Sequence, residues 1–154
     1  MKPFAVQASD AVRLSTPTKS SVVIMADTLQ TNGSLSVVEV EVPACDGPAA
    51  HTHLREDEVW YVIDGAFRFK AGDEMLRATT GGMAFGPRGM PHAFQNVGDT
   101  VGRLLIITSP SGLERFFEQA AEMSHPVDPE ELAAIGRANW VEFSGPPLAV
   151  SDPL

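Results

Sequence analysis

The stretch HTHLREDEVWYVIDG, residues 51–65, decides how this chain reads, together with a shorter one, GGMAFGPRGMPHAFQN, residues 81–96. Between them they hold three of the four histidines, His51, His53 and His92, and the carboxylate Glu58, a set that one metal ion could collect. On a strand, residues i and i+2 project from the same face about 7 Å apart, near enough for two imidazoles to lean onto one ion at about 2.1 Å each. His51 and His53 have that spacing. Glu58 has the opposite parity, so the polar insert Leu54-Arg55-Glu56-Asp57 must contain a turn or bulge that resets the register. His92 must arrive from a different strand, after a Pro87-Arg88-Gly89 turn that fixes the backbone direction just before it.

Working outward, strand patterns surround these segments. Ser21 to Asp27 is a short β-branched run. Residues 34–42, SLSVVEVEV, place Val38, Val40 and Val42 on one face and Glu39 and Glu41 on the other, and Pro43 ends the strand. Beyond Glu58, Trp60 and Val62 share its side while Val59, Tyr61 and Ile63 face away; Asp64-Gly65 reads as a two-residue hairpin turn. The return strand carries Phe67 and Phe69 inward with Arg68 and Lys70 outward, and Ala71-Gly72-Asp73 turns into residues 74–79. Met83 and Phe85 share a face, Phe94 and Asn96 share the side of His92, and Gln95 points outside. Residues 101–108 read as a strand buried on both sides.

At either end the pattern changes. Residues 1–20 read as an extended arm with an edge strand around Phe4 to Gln7. From Ser111, Leu113, Phe116, Phe117 and Ala120 recur at helical spacing, and Asp128-Pro129-Glu130-Glu131 supplies an N-cap, a proline and a capping-box glutamate for a second helix ending near Arg137. The tail from Phe143 reads as extended and partly disordered.

The bulk numbers narrow the function classes. The 154 residues suit one domain. A formal net charge of −9 disfavours nucleic acid or an anionic membrane surface as partner. A single cysteine, Cys45, permits no intrachain disulfide and reads as filler beside a loop. With no apolar leader at the start and no membrane-length apolar run, a cytoplasmic location is expected.

The two quoted segments resemble the paired motifs of the cupin superfamily. The first, G-x5-H-x-H-x(3,4)-E-x6-G, is met by His51, His53, Glu58 and Gly65, except that its leading glycine would fall at Cys45, with Gly47 nearest. The second, G-x5-P-x-G-x2-H-x3-N, is met by Gly81, Pro87, Gly89, His92 and Asn96, the asparagine serving the turn. The resemblance implies an all-β fold, a double-stranded β-helix or jelly-roll barrel, over residues 21–110, with an N-terminal arm over 1–20 and two helices and a tail over 111–154. It also suggests a homodimer whose arms cross to the partner.

The implied cofactor is one divalent metal ion (iron, nickel, manganese, cobalt, copper or zinc) held by His51, His53, Glu58 and His92 in an open site. The walls expected around it are Val38, Val40, Trp60, Val62, Phe67, Phe69, Met83, Phe85 and Phe94, although Trp60 serves equally well as barrel filling. Such a pocket favours a small planar hydrophobic substrate that chelates through an enolate or phenolate. Residues 109–118, SPSGLERFFE, and 145–148, GPPL, are similar to the quercetin dioxygenase group, which implies oxygenolytic cleavage of a flavonol, with dioxygen as co-substrate and Glu58 as both ligand and catalytic base. Two alternatives stand beside it: a non-oxidative metal cupin, such as a polyketide cyclase or isomerase, and a small-molecule-binding cupin without turnover.

Overall fold

The computed structural model describes residues 2–16 and 20–154. Met1 and residues 17–19 of the expected arm lie outside the described residues. Eleven strands and four helices follow one another among those described: β1 (Val12–Ser15), β2 (Ser21–Ala26), α1 (Thr28–Thr31), β3 (Ser36–Val42), β4 (Ala49–His53), β5 (Asp57–Asp64), β6 (Ala66–Ala71), β7 (Glu74–Thr79), β8 (Met83–Gly86), β9 (His92–Asn96), β10 (Gly102–Ser109), α2 (Leu113–Ala121), α3 (Pro129–Ala138), β11 (Val141–Pro147) and α4 (Leu148–Ser151). Six strands form one sheet in the order β1-β2-β3-β10-β5-β8, and five form a second in the order β11-β4-β9-β6-β7. The fold is the all-β cupin sandwich that the motifs imply.

The apolar alternation explains why the sheets close on each other. Val38, Val40 and Val42 of β3 are buried, and in the register of β10 Val38 faces Ile106 and Val40 faces Leu104, both also buried. Trp60 and Val62 of β5 join them from one side, Phe67, Phe69 and Phe94 from the other sheet, and these residues form one core. Each such side chain removed from water stabilises the fold by about 1.5–3 kcal/mol. Residues 101–108 were expected to be buried on both faces, yet Leu105 and Ile107 are only half-buried, so β10 alternates like its neighbours.

Chain direction is set at a few positions. Asp64-Gly65 does not close a hairpin: β5 and β6 belong to different sheets, and Gly65, at φ +98°, turns a corner between them. Gly72-Asp73 does close one, between β6 and β7. Asn96 is fully buried; its amide donates to the carbonyls of Val42, Pro43 and Thr100, and its oxygen accepts from the Gly98 N–H, so it ties the end of β3 to the turn after β9.

Several expectations are corrected at the periphery. No strand forms around Phe4 to Gln7; β1 instead pairs with β2 at Val12–Ser15. The tail is not a loose extension, because β11 pairs antiparallel with β4 and Gly145 lies opposite Ala50. That C-terminal segment covers the outer face of the five-stranded sheet and buries two polar residues expected outside. Arg68 donates to Gln95 and to the carbonyls of Leu148 and Asp152, and Gln95 donates to the Cys45 carbonyl. Asp128 caps α3 by accepting from Glu130 N–H, without the reciprocal glutamate bond of a capping box. His125 is exposed, and no described helix is long and apolar enough to cross a membrane.

Candidate metal centre

The four candidate ligands come from three strands and both sheets. β4 supplies His51 and His53 on one face, and β9 places His92 directly opposite His51. After His53 the chain bends at Leu54 and Arg55 and re-enters the other sheet as β5, where Glu58 faces inward. The register reset expected from the parity of Glu58 is thus a change of sheet. The turn before His92 is closed by Met90 N–H on the Pro87 carbonyl, with Gly89 at φ +76°, and Gly89 N–H donates to the His53 carbonyl at 2.8 Å. Arg88 grips Asp57 through its side chain at 2.7 and 3.1 Å and its backbone N–H at 2.9 Å, binding this turn to the base of β5.

Close approach dictates two glycines. A Cβ at Gly47 would stand 2.0 Å from the Phe94 carbonyl oxygen, so the loop feeding β4 passes β9 only as glycine. Cys45, where the motif has its glycine, is exposed and takes a positive φ of 61°. A Cβ at Gly86, opposite Glu58, would meet the Trp60 ring at 2.5 Å.

One ligand atom from each of His51, His53, Glu58 and His92 lies within 4.8 Å of all the others. Glu58 Oε2 is 3.0 Å from His92 Nε2 and 3.3 Å from His53 Nε2. Donors bound at about 2.1 Å to one cation stand about 3 Å apart when adjacent, so this spacing suits a shared ion. Glu58 Oε2 and His92 Nε2 are both buried without a hydrogen-bond partner, the condition of atoms that want a cation between them. The Nδ1 atoms of His51 and His92 face the carbonyls of Ala49 and Met90 at 2.8 and 2.9 Å, which leaves each Nε2 free to coordinate. The set could therefore hold a divalent ion; nothing in it selects one metal.

The charges agree with that arrangement. Burial holds His51 at a pKa of about 3, assisted by His92 and His53 beside it, so it is neutral and ready to ligate. Burial alone would raise Glu58, but the field of His53, then of His92 and His51, overrides it and holds the carboxyl at about 2. Burial would lower His53, and Glu58 and Glu56 outweigh it, so this ring lies above its ordinary value.

A cavity of about 870 Å3, its open mouth included, ends on His51, His53 and Glu58. Val22, Val40 and Ile106 wall it from one sheet, and Ala49, Phe94, Val141 and Phe143 from the other. Leu113, Phe116, Phe117 and Ala120 of α2, Leu132 of α3, Pro48 and the polar Thr16 and Ser20 also line it. Of the walls expected from sequence, Val40 and Phe94 line this space. Val38, Trp60, Val62, Phe67 and Phe69 are buried in the core beside it, where Trp60 packs edge-on against His92 with ring centres 5.1 Å apart. Met83 and Phe85 are corrected outright: they point to solvent, 56% and 48% exposed, because Ala84 and Gly86 take the inward positions of β8.

Two buried carboxylates escaped the sequence reading. Glu56, assigned to a polar insert, is 2% exposed and faces His53; Glu114, on α2, is equally buried beneath Thr28 and Ser36. Sequence held no signal for either, since a glutamate in a polar insert or on an amphipathic helix ordinarily faces water.

Comparison with known proteins agrees with this fold. Residues 37–108 match the family described as Cupin domain. Among solved structures, KdgF from a Halomonas species aligns with a TM-score of 0.62 at 21% identity, covering 71% of this chain and 94% of that one. An RmlC-like cupin from Shewanella frigidimarina aligns with a TM-score of 0.62 at 19% identity over 71% and 93%. A predicted oxalate decarboxylase from Thermotoga maritima aligns with a TM-score of 0.59 at 19% identity over 70% and 99%. No curated protein matches the sequence. Residues 37–108 thus match a cupin domain, the neighbours share the fold, and the buried His/Glu cluster could hold a metal ion.

Proposed function

We propose that this chain is a metal-dependent cupin enzyme whose substrate is a small, neutral, planar and mostly aromatic molecule carrying a chelating oxygen. The specific reading is a quercetinase-like dioxygenase acting on a flavonol or a similar enol or phenol. The observation that carries the proposal is the cavity: aliphatic and aromatic side chains converge on three of the four candidate ligands. Among the described residues, no Lys, Arg, Asn or Gln lines it. Beyond the candidate ligands, a sugar-like substrate would find only Thr16 and Ser20 as polar side chains there, and each polar group left unpaired would cost about 1–3 kcal/mol.

Held by His51, His53, Glu58 and His92, a divalent cation would supply Lewis acidity to the substrate oxygen and, with a redox-active metal, a path for electrons to dioxygen. The chain's own residues do the rest. Phe94, Phe116 and Phe143 present faces and edges to a flat ring and exclude water from the ligand end. Glu58 is ionised throughout the neutral range, the form needed by a ligand or a proton acceptor. With so low a proton affinity it would hold a substrate proton only in passing, which suits a base that must return to ligation.

The test is elemental analysis of the purified protein, then an assay with a flavonol in air and under argon. Oxygen uptake matched to flavonol loss supports the dioxygenase. Turnover that persists without oxygen replaces it with a non-oxidative cyclase or isomerase, and saturable binding without product replaces it with a carrier or sensor.

A further inference from the structure

We propose that Glu56 is the positioning residue of His53. Its buried carboxylate keeps the ring proton on Nδ1 and so presents Nε2 to the cation. The inference rests on the metal-site reading above and adds a residue that the motif spacing does not include.

Three observations carry it. The first is a contrast among the imidazoles: His51 and His92 each set Nδ1 against a backbone carbonyl, but His53 Nδ1 has no hydrogen-bond partner, and the polar group facing it is Glu56 Oε2 at 3.6 Å. The second is burial. Both side chains are 2% exposed, and Glu56 Oε2 itself lacks a partner, so each atom is the other's remedy. The gap exceeds a formed hydrogen bond by about half an ångström, which a small rotation of the ring or the carboxylate closes.

The third is what stands behind Glu56. Its Oε1 lies 3.4 Å from Arg55 Nε, and the Arg55 guanidinium also donates to the Ser111 carbonyl. Gly112, at φ +147°, passes so close that a Cβ there would sit 3.0 Å from Glu56 Oε1. The carboxylate is fenced from the rear and has only His53 to face. The segment SPSG, residues 109–112, thereby backs the site from outside, a role distinct from lining the cavity.

A carboxylate in this position orients a ligating histidine and raises its donor strength, and removing such a partner costs about 10–100-fold in metal affinity. The experiment compares wild type with Glu56→Ala and the isosteric Glu56→Gln. One readout is the His53 tautomer by 15N NMR in the metal-free protein at alkaline pH, where the ring is neutral. The other is Co2+ affinity by competition titration.

Wild type should show the proton on His53 Nδ1. Glu56→Ala should shift it toward Nε2 and weaken Co2+ binding by about 10–100-fold. Glu56→Gln should restore both in large part, because its amide oxygen still accepts from Nδ1. An Nε2–H tautomer in wild type overturns the proposal, as does unchanged affinity in Glu56→Ala. Loss of thermal stability in both variants with the tautomer unmoved would make Glu56 a mere anchor for Arg55 and overturn it too. Should Glu56→Ala not fold, the wild-type and Glu56→Gln spectra still decide. A wild-type protein that takes up no Co2+ sinks the metal reading instead, while the tautomer still reports on Glu56.

Discussion

Glu58 and Glu114 are both 2% exposed, and their surroundings could hardly differ more. Glu114, at the start of α2, accepts from Thr28 N–H at 2.9 Å, from Gly112 N–H at 3.1 Å and from the hydroxyls of Thr28 and Ser36. Burial would raise its pKa, but the Ser36 and Thr28 donors outweigh that and hold it below the ordinary carboxylate range. Among the described residues Glu58 has no hydroxyl or amide partner; its Oε2 has only imidazole nitrogens within reach and no hydrogen bond. A carboxylate kept for structure is surrounded with donors, whereas one kept for a ligand is left short of them.

The strongest way to break the comparison is to exchange the outcomes. Glu58→Ala and His92→Ala should each weaken metal binding more than the ~100-fold that the loss of a supporting residue costs, whatever they do to the melting temperature of the metal-free protein. Metal stoichiometry and a thermal melt measure both. Glu114→Ala should do the reverse, lowering stability by about 2–3 kcal/mol through stranded donors, with stoichiometry intact. Equal effects of the two substitutions in both assays would erase the distinction.

Acid sharpens it next. In the metal-free protein His51 sits at about 3 against 6.5 unfolded, so the unfolded chain takes up a proton that the folded one refuses. Stability from His51 is full above 6.5 and is lost as pH falls toward 3. Glu58, at about 2 against 4.5, is complete above 4.5 and adds a loss of the same sign below it. His53, raised, acts oppositely: its contribution is whole below 6.5 and is lost as pH climbs through its folded value. Thermal melts after chelation should show an optimum near neutrality and an acid limb of up to ~1.4 kcal/mol per pH unit for each proton taken up. Metal binding, which must displace the proton from His53, should tighten as pH rises and release protons measurable by calorimetry in different buffers.

Smaller effects belong to the walls. Phe143→Ala should raise KM for a planar substrate while leaving metal content alone, because the ring lines the cavity without touching the ligand atoms as a donor. Smallest of all, Met83→Ser and Phe85→Ser should leave metal, cavity and turnover as they are. A change in KM from either would return them to the site.

That last pair shows how far sequence carried the reading. The candidate ligand cluster was legible because such spacing is imposed by coordination chemistry, and strands because alternation is imposed by burial. The walls were not. Met83 and Phe85 look like core, yet the ring of Trp60 fills the inner space opposite β8 and leaves room only for Ala84 and Gly86. Arg68 and Gln95 look like surface, yet backbone carbonyls of the C-terminal segment and the loop at Cys45 satisfy them in the interior. In each case the deciding partner lies far along the chain, and local periodicity has no knowledge of it.

Glu58 hangs from the six-stranded sheet and the three imidazoles from the five-stranded one. An ion at that point would rivet the sandwich across its open end, so breathing of the barrel and release of the ion become one equilibrium. At a hundred times its dissociation constant the ion would add about 2.7 kcal/mol, felt as slower hydrogen exchange along the seam where the two sheets part.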